Sequence, residues 1–291
     1  MHSFRHTSCR FILSASILAL TSAASFCQTW DGGGDGVSWA DKVNWSPDTV
    51  LVSGSPNLSL YIPSAVALPT TQNFGGTFQL QQLAFSGAGP FTVNGNPISF
   101  ENLGAAPTLA TLGGGPHVTF NVPVTFNASA LANVSSVNFA SGATINAGTT
   151  LTLNAFTSGT ILNNGILAPD FVSVSADISG PGSLVVANQV YSLTGTNFYT
   201  GGSTLLQGAQ VYGATTNAVQ GNWSLGLNSQ LGFAQAFAGT TSGVISGPGN
   251  VSVSGTGKVT LGGTLAVVPE PSAAILLLGA LTGLLARRAR R

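Results

Sequence analysis

The residues from Val118 to Phe126 constrain the fold of this chain more than any other stretch. Valine or phenylalanine occupies every second position, and threonine, asparagine or proline occupies the positions between them. Alternation with period two over nine residues predicts a β-strand with one buried and one exposed face. Pro123 falls on the exposed face, where its missing N–H group indicates a sheet edge or a bulge.

Strand signals of this kind recur along the chain. Asn94–Gly95 and the glycine-proline run at 113–116 predict turns between them. No window between residues 28 and 268 has convincing helical periodicity. The region 51–267 is therefore predicted to be all-β. Further strands are predicted at Thr77–Phe85, Phe91–Val93, Ser136–Phe139 and Thr150–Leu153.

A short motif occurs twice. Ile178-Ser-Gly-Pro-Gly182 recurs 67 residues later as Ile245-Ser-Gly-Pro-Gly249, which suggests repeat-like units at about 178–211 and 245–265. Units too small to bury an apolar face alone must stack and share a core. We therefore predict a parallel β-solenoid, with glycines at its corners and asparagine ladders along its axis. A β-sandwich is the alternative, because short, evenly spaced strands would give a similar pattern. Strands are predicted after the two copies at 183–187, 190–193, 251–254 and 259–261.

Charge is scarce in this chain. Only 5% of the 291 residues are charged, against a usual figure of about 25%, so the exposed faces must consist of Ser, Thr, Asn, Gln and backbone. Residues 28–268 hold seven acidic residues and two lysines, hence a net charge of −5. This sign excludes binding to a phosphate backbone, so no nucleic-acid partner is expected.

The N-terminus predicts export. Arg5 and Arg10 precede an apolar run at 11–20, and small residues follow at 22–25, which is the pattern of a secretory signal peptide. We place the signal at residues 1–27. Removal of Cys9 leaves at most Cys27, so an internal disulfide cannot form.

Residues 28–50 form a Trp/Gly/Asp-rich segment that is predicted to cap the β region. Its three tryptophans could close the end of the β structure or stack on sugar rings. Asp31 and Asp35 flank three glycines; they could bind calcium through oxygen ligands, but a turn is the simpler interpretation, and no metal site is predicted. The three candidates for glycan stacking are Trp30, Trp39 and Trp45.

The C-terminal segment 268–291 has three parts in a fixed order. A proline-flanked acid opens it, an apolar run at 272–286 follows, and an arginine cluster closes the chain. Fifteen helical residues cover about 22 Å, short of the roughly 30 Å bilayer core, so the segment suits temporary anchoring. Its arginines are expected to stay on the cytoplasmic side. The sorting motif is Val268, Pro269, Glu270 and Pro271; the membrane segment includes Ser272, Leu276, Leu277, Leu278, Leu281, Leu284 and Leu285; the basic stop is Arg287, Arg288, Arg290 and Arg291.

This segment resembles the PEP-CTERM sorting signal of exported bacterial proteins. The resemblance implies processing by an exosortase-like membrane transpeptidase and delivery to the cell surface or to an exopolysaccharide matrix. A second resemblance lies in the body of the chain, to the autotransporter-associated β-strand repeat, whose core ends one rung and opens the next. The second copy reaches Gly262–Gly263 and lacks the Asn-x-Tyr part. The matching residues are Leu193, Gly195, Asn197, Tyr199, Gly201, Gly202 and Thr204.

Reactive side chains are few, and no catalytic residue or cofactor is predicted. His117 follows a glycine-proline turn and is expected in a loop. Asp170 and Asp177 could be paired as in a glycosidase, but nothing else in the sequence supports that pairing. A lyase would need Lys or Arg beside acids, and Lys42 and Lys258 are far apart. We therefore expect a non-enzymatic structural or adhesive protein of the cell envelope or extracellular matrix, with a carbohydrate-binding module or polysaccharide-active β-helix enzyme as the alternative.

Overall fold

The computed structural model describes residues 27–63, 69–87, 90–112, 117–134, 136–154, 172–187, 190–234, 239–254 and 258–266. Residues 1–26 of the predicted signal peptide and the predicted sorting segment 268–291 lie outside these residues, whereas Cys27, the last residue of that predicted signal, begins the first strand.

The described chain consists of short strands and two brief 3-10 helices, η1 at Lys42–Asn44 and η2 at Thr216–Val219. The first strands are β1 Cys27–Trp30, β2 Trp45–Ser46, β3 Ser59–Pro63, β4 Thr70–Gln72, β5 Phe78–Leu80, β6 Gln82–Ser86, β7 Phe91–Gly95, β8 Ile98–Phe100 and β9 Thr108–Leu112. Next come β10 His117–Phe120, β11 Val124–Phe126, β12 Ala130–Asn133, β13 Ser136–Ile145, β14 Thr150–Asn154, β15 Val172–Ser179, β16 Ser183–Ala187 and β17 Val190–Thr194. The last are β18 Ser203–Leu205, β19 Gln210–Gly213, β20 Trp223–Leu225, β21 Gln230–Ala234, β22 Gly239–Thr241, β23 Ile245–Ser246, β24 Asn250–Ser254, β25 Val259–Leu261 and β26 Leu265–Ala266.

These strands wind into a parallel β-solenoid with three sides. Sheet 1 has the order β2-β1-β3-β6-β9-β12-β14-β16-β18-β20-β23-β26, and the main path of sheet 2 has the order β24-β21-β19-β17-β15-β13-β10-β7-β4. The third side begins with β5, β8 and β11, continues through the second half of β13, and ends with η2, β22 and β25. Among the described strands every pair except β1–β2 is parallel. The predicted all-β parallel solenoid is confirmed, and the β-sandwich alternative is wrong.

Register along sheet 1 fixes the length of a coil. Leu184 pairs with Ser203, Ser203 with Trp223, and Trp223 with Ile245, so successive coils are 19, 20 and 22 residues long. All four side chains are buried. Each inward position thus stacks on the equivalent position of the coil below, and the core runs the length of the solenoid.

The alternation at Val118–Phe126 is borne out in burial but not in its strand boundaries. All five apolar side chains at the alternating positions are buried, including Val122. However, β10 ends at Phe120 and β11 begins at Val124, on the next side of the solenoid. Pro123 is exposed at the corner between them. The single predicted strand was wrong because the chain turns at Val122 while keeping that side chain inward.

Aromatic rings stack along the axis because the coils are in register. Phe120 pairs with Phe139, and their ring centroids are 5.5 Å apart with an angle of 16° between planes. Phe100 and Phe126 are likewise paired and stacked, at 5.1 Å and 13°. Such contacts add about 0.5–1.5 kcal/mol each beyond the burial of the rings. The core of the N-terminal half is therefore held by aromatic columns.

The two copies of Ile-Ser-Gly-Pro-Gly adopt similar turns at different corners. Gly180 has φ +101° and Gly247 has φ +104°, in the region where a side chain is strained. The first copy connects the third side to β16 in sheet 1, whereas the second connects β23 in sheet 1 to β24 in sheet 2. The motif therefore specifies a corner conformation rather than a fixed position in the coil.

Side-chain ladders run along the outside, as predicted. Asn127 donates to Glu101 in the coil below, with a nitrogen–oxygen distance of 2.5 Å, and accepts from Asn146 in the coil above. Asn121 donates to Asn94 at 2.9 Å. These bonds join the coils through side-chain amide groups and, at one end of the first ladder, through the Glu101 carboxylate.

Candidate functional site

The N-terminal end of the solenoid contains the predicted tryptophan cluster. The Trp30 and Trp45 rings meet edge to face with centroids 4.9 Å apart, and the Trp39 and Trp45 centroids are 6.0 Å apart. Trp45 Nε1 donates to the Trp39 carbonyl at 2.9 Å. All three side chains are 0% exposed, so none offers a face on which a sugar ring could stack. The burial argues against glycan stacking here and supports the closing of the β structure.

A network centred on Asn44 holds this end together. The Asn44 Oδ1 atom accepts from the amides of Gly34 and Gly36, at 3.0 and 2.9 Å. Its Nδ2 donates to Asp35 Oδ1 at 2.7 Å and to the Ser38 carbonyl at 2.9 Å. Since Asn44 is fully buried, these four bonds satisfy its amide group inside the protein. One side chain thus fixes the glycine-rich loop that precedes η1.

The acidic residues of this loop serve as hydrogen-bond acceptors. Asp31 accepts from the Gly33 amide at 3.1 Å. Hydrogen bonds from Ser38, and after them those from Val37, hold the pKa of the Asp35 carboxyl below its ordinary value. Within the described part of the chain, no group of three or more His, Cys, Asp and Glu side chains could hold a metal ion. The contacts of Asp31 and Asp35 are those of turns.

Asn197 joins three successive coils. Its Oδ1 accepts from the amide of Ile178 in the coil below at 3.0 Å, and its Nδ2 donates to the carbonyl of Ala218 in the coil above at 2.5 Å. Its neighbour Tyr199 is buried and shares a 2.6 Å hydrogen bond with Ser203. Burial raises the pKa of Tyr199 to about 12. Two polar residues of the repeat motif thus have a structural role within the third side.

Asp177 lies at a corner facing solvent. Its Oδ1 accepts from the Thr196 amide at 2.8 Å, and the residue lines an open polar pocket of about 440 Å³ together with Asn138 and Ser141. Asp170, its proposed catalytic partner, lies outside the described residues. The structure therefore provides one carboxylate of the suggested pair, and that carboxylate is bound to backbone.

Phe198 is the exposed aromatic residue that sequence reasoning missed. Its amide donates to the Ile178 carbonyl at 2.7 Å, directly beside Asp177, and 66% of the residue is exposed. The repeat motif could have predicted this exposure. Asn197 and Tyr199 point inward, so the residue between them must point outward. An aromatic side chain at that position indicates a surface available for contact.

A second pocket lies beside the N-terminal end. It has a volume of about 440 Å³ and is lined by Gln28, residues 49–52 and residues 55–58. Val50 and Val52 in its wall are well exposed. No strand or repeat pattern predicts this pocket, because the loop between β2 and β3 forms it together with Gln28 of β1.

The remaining candidates for chemistry are far from one another. His117 is the first residue of β10, a strand position rather than the predicted loop, and its side chain is exposed. Lys42 belongs to η1 at the N-terminal end, whereas Lys258 precedes β25 in the last coil. The two lysines therefore lie at opposite ends of the solenoid and cannot act on one substrate.

Comparisons with protein families, with curated proteins and with solved structures find no match to this chain. In the part of the chain that the structure describes, no helix has the length and apolarity needed to cross a bilayer. The geometry defines a protein of the parallel β-solenoid class.

Proposed function

We propose that this protein is an exported, non-enzymatic solenoid with a structural or adhesive role at the cell surface or in an exopolysaccharide matrix. An exosortase-like transpeptidase would recognise the motif at 268–271. The apolar run at 272–286 and the terminal arginines would hold the chain at the membrane until that step. The sequence of this segment supports the sorting pathway.

The observation that carries the structural role is the outer surface. Its amide and hydroxyl groups pair from coil to coil, as in the bonds of Asn146 to Asn127 and of Asn121 to Asn94 and in the bond between Thr150 and Ser183 at 2.9 Å. A surface of paired neutral groups resists swelling and does not depend on salt, because few of its contacts involve charges. These properties suit a scaffold in a hydrated polysaccharide.

The sorting step can be tested by intact mass spectrometry of the protein recovered from outside its host. The expected mass lacks about 27 residues at the N-terminus and the C-terminal segment after the sorting motif. In the Glu270→Ala variant the C-terminal segment should be retained, whereas Thr264→Ala, six residues upstream, should be processed normally. A full-length chain in the cytosol would contradict the proposal.

Carbohydrate binding is a second candidate, favoured by the exposed Phe198, which follows Gly195 in the wall of the pocket of Asp177 and Asn138 by three residues. Aromatic faces next to polar side chains are suited to sugar rings. Loss of binding to host exopolysaccharide in Phe198→Ala, but not in Leu206→Ala, would support a binding role. Turnover of a polysaccharide that is lost in Asp177→Asn and Asp170→Asn would instead indicate an enzyme.

A further inference from the structure

The last coil of the solenoid leaves apolar core positions uncovered. In sheet 1, Ile245 stacks on Trp223 and both are buried, but the next residue in this column, Leu265, is 49% exposed. In sheet 2, Phe233 is fully buried and its partner Val253 is 52% exposed. These side chains occupy inward positions, so their exposure means that the core is open at this end.

The backbone is open at the same end. Among the described strands, β26 ends the order of sheet 1, β24 ends the order of sheet 2, and β25 pairs with β22 alone. Unpaired strand edges are templates for another strand, and proteins usually protect them with charges or prolines. Among the described residues 239–254 and 258–266, Lys258 is the one charged side chain. This edge therefore has little protection against pairing.

The N-terminal end differs. There β2 runs antiparallel to β1 and ends sheet 1, and the buried rings of Trp30, Trp39 and Trp45 close the core. Asp31, Asp35 and Asp41 lie in the same region. A solenoid end with a closed core cannot accept the open end of another molecule, so stacking head to tail is excluded.

We infer that the open end binds the open end of a second copy of this chain, forming a symmetric tail-to-tail dimer. The inference rests on the proposed function, in which cleavage removes the residues after the sorting motif. The first five residues after Ala266 include Pro269 and Pro271, and each proline lacks the N–H group that a paired strand would use. After the proposed cleavage, only the few residues up to the sorting motif would follow Ala266.

Symmetry and charge favour this partner. The same open surface occurs on each copy, so a two-fold axis would place Leu265 and Val253 of one copy against the same apolar surface of the other. With Lys258 as the charged side chain of the described last coil, the two surfaces have little to repel each other. Because the opposite ends are closed, assembly stops at two copies rather than continuing into a filament.

The test is sedimentation equilibrium of the exported, processed protein from its host, between about 1 and 100 µM. We expect a dimer. Leu265→Lys should raise the dissociation constant at least about 100-fold, since each dimer would bury two unpaired ammonium groups. The matched control is Leu206→Lys, at a position 44% exposed in a middle coil, which should change the constant by less than about twofold.

A second measurement needs no variant. Amide hydrogen exchange in β24 and β26 of the wild-type protein should accelerate on dilution below the dissociation constant, while exchange in β16 stays unchanged. A monomer at every concentration would overturn the inference, and so would larger assemblies that Val52→Lys disrupts. The intact mass of the same sample shows separately whether the C-terminal segment has been cleaved. A dimer that Leu265→Lys weakens, but whose C-terminus is intact, would contradict the proposed processing and still support the dimer interface.

Discussion

Asn197 shows how much one buried amide can do in a solenoid. It satisfies the Ile178 amide below and the Ala218 carbonyl above, and all three residues are buried. Replacement by alanine leaves both backbone groups unpaired, at a cost of about 1–3 kcal/mol each.

We expect Asn197→Ala to lower the free energy of unfolding in urea by about 2–6 kcal/mol. The control is Asn121→Ala, which removes an exposed ladder bond to Asn94 and should cost less than about 1 kcal/mol. Equal losses in the two variants would show that the bridge between coils has no special role.

Tyr199 predicts a dependence of stability on alkaline pH. Its pKa is raised from 10.0 to about 12 by burial, so the folded state favours the neutral phenol. The stabilisation is complete below pH 10 and is lost as the pH rises from 10 to 12, by about 3 kcal/mol. The measurement is the free energy of unfolding across this range.

The control is Tyr199→Phe, which should flatten that profile. Burial also raises the pKa of Tyr212, so a smaller slope of the same sign should remain. A profile for Tyr199→Phe parallel to that of the wild type would contradict the assignment.

Corner turns are the elements most sensitive to substitution. A Cβ atom added to Gly247 would lie 2.1 Å from the Leu225 carbonyl oxygen in the coil below, and one added to Gly180 would lie 2.3 Å from that of Ile145. Both positions combine backbone strain with a steric clash. The close approach of adjacent coils is the reason that this motif requires glycine.

Gly247→Ala is therefore expected to cost about 3 kcal/mol or more, from left-handed strain and overpacking together. Gly208 has φ +76° with nothing within 4 Å of an added Cβ, so Gly208→Ala should cost only about 1–2 kcal/mol. The free energies of unfolding of both variants in urea separate the cost of backbone strain from the cost of the steric clash. Identical costs would mean that the neighbouring carbonyl moves away freely.

The sequence predicted which residues of a strand point inward better than it predicted where the strand begins and ends. The strands at 183–187 and 259–261 match β16 and β25, because glycines bound them closely. Thr77–Phe85 instead forms β5 and β6, with the corner at Gln81. Around the corner at Val122 the period of two persists, so the alternation there carries no information on where the chain turns. At Gln81 it is interrupted, because Gln81 and Gln82 both lie between the buried Leu80 and Leu83.

We expect the N-terminal end of the solenoid to be locally more stable than the C-terminal end. The tryptophan cluster buries large rings at the N-terminal end, whereas the last coil exposes its inward leucine and valine side chains. For the monomer at low concentration, amide exchange should be slower in β1 and β3 than in β24 and β26. Trp45→Ala should remove that difference and lower the free energy of unfolding by about 3–5 kcal/mol.

The comparison variant is Val52→Ala, at an exposed position near the same end, which should leave both quantities almost unchanged. Uniform exchange along the wild-type solenoid would contradict the proposed closing role of the cluster.

For the whole molecule, the parallel solenoid could be predicted from the sequence, but the burial or exposure of the candidate binding residues could not. Stacking followed from small repeated units and scarce charge, which leave each strand dependent on its neighbours. The burial of Trp39 and the exposure of Phe198 depend on which end of the stack closes and which face turns outward. Both are properties of the assembled coil, and a single strand pattern does not contain them.

The closed N-terminal end also gives the molecule a direction of growth. Under the proposed export, residues 28–50 emerge first, and their aromatic cluster is completed when Thr71 and Phe78 reach Trp39. Each later turn, such as those of 19 and 20 residues that lead to Ser203 and Trp223, then docks onto a finished template, so loop closure stays local and fast. Such a protein could build itself at the pace at which its secretion channel delivers it, without ever exposing more than one unfinished layer.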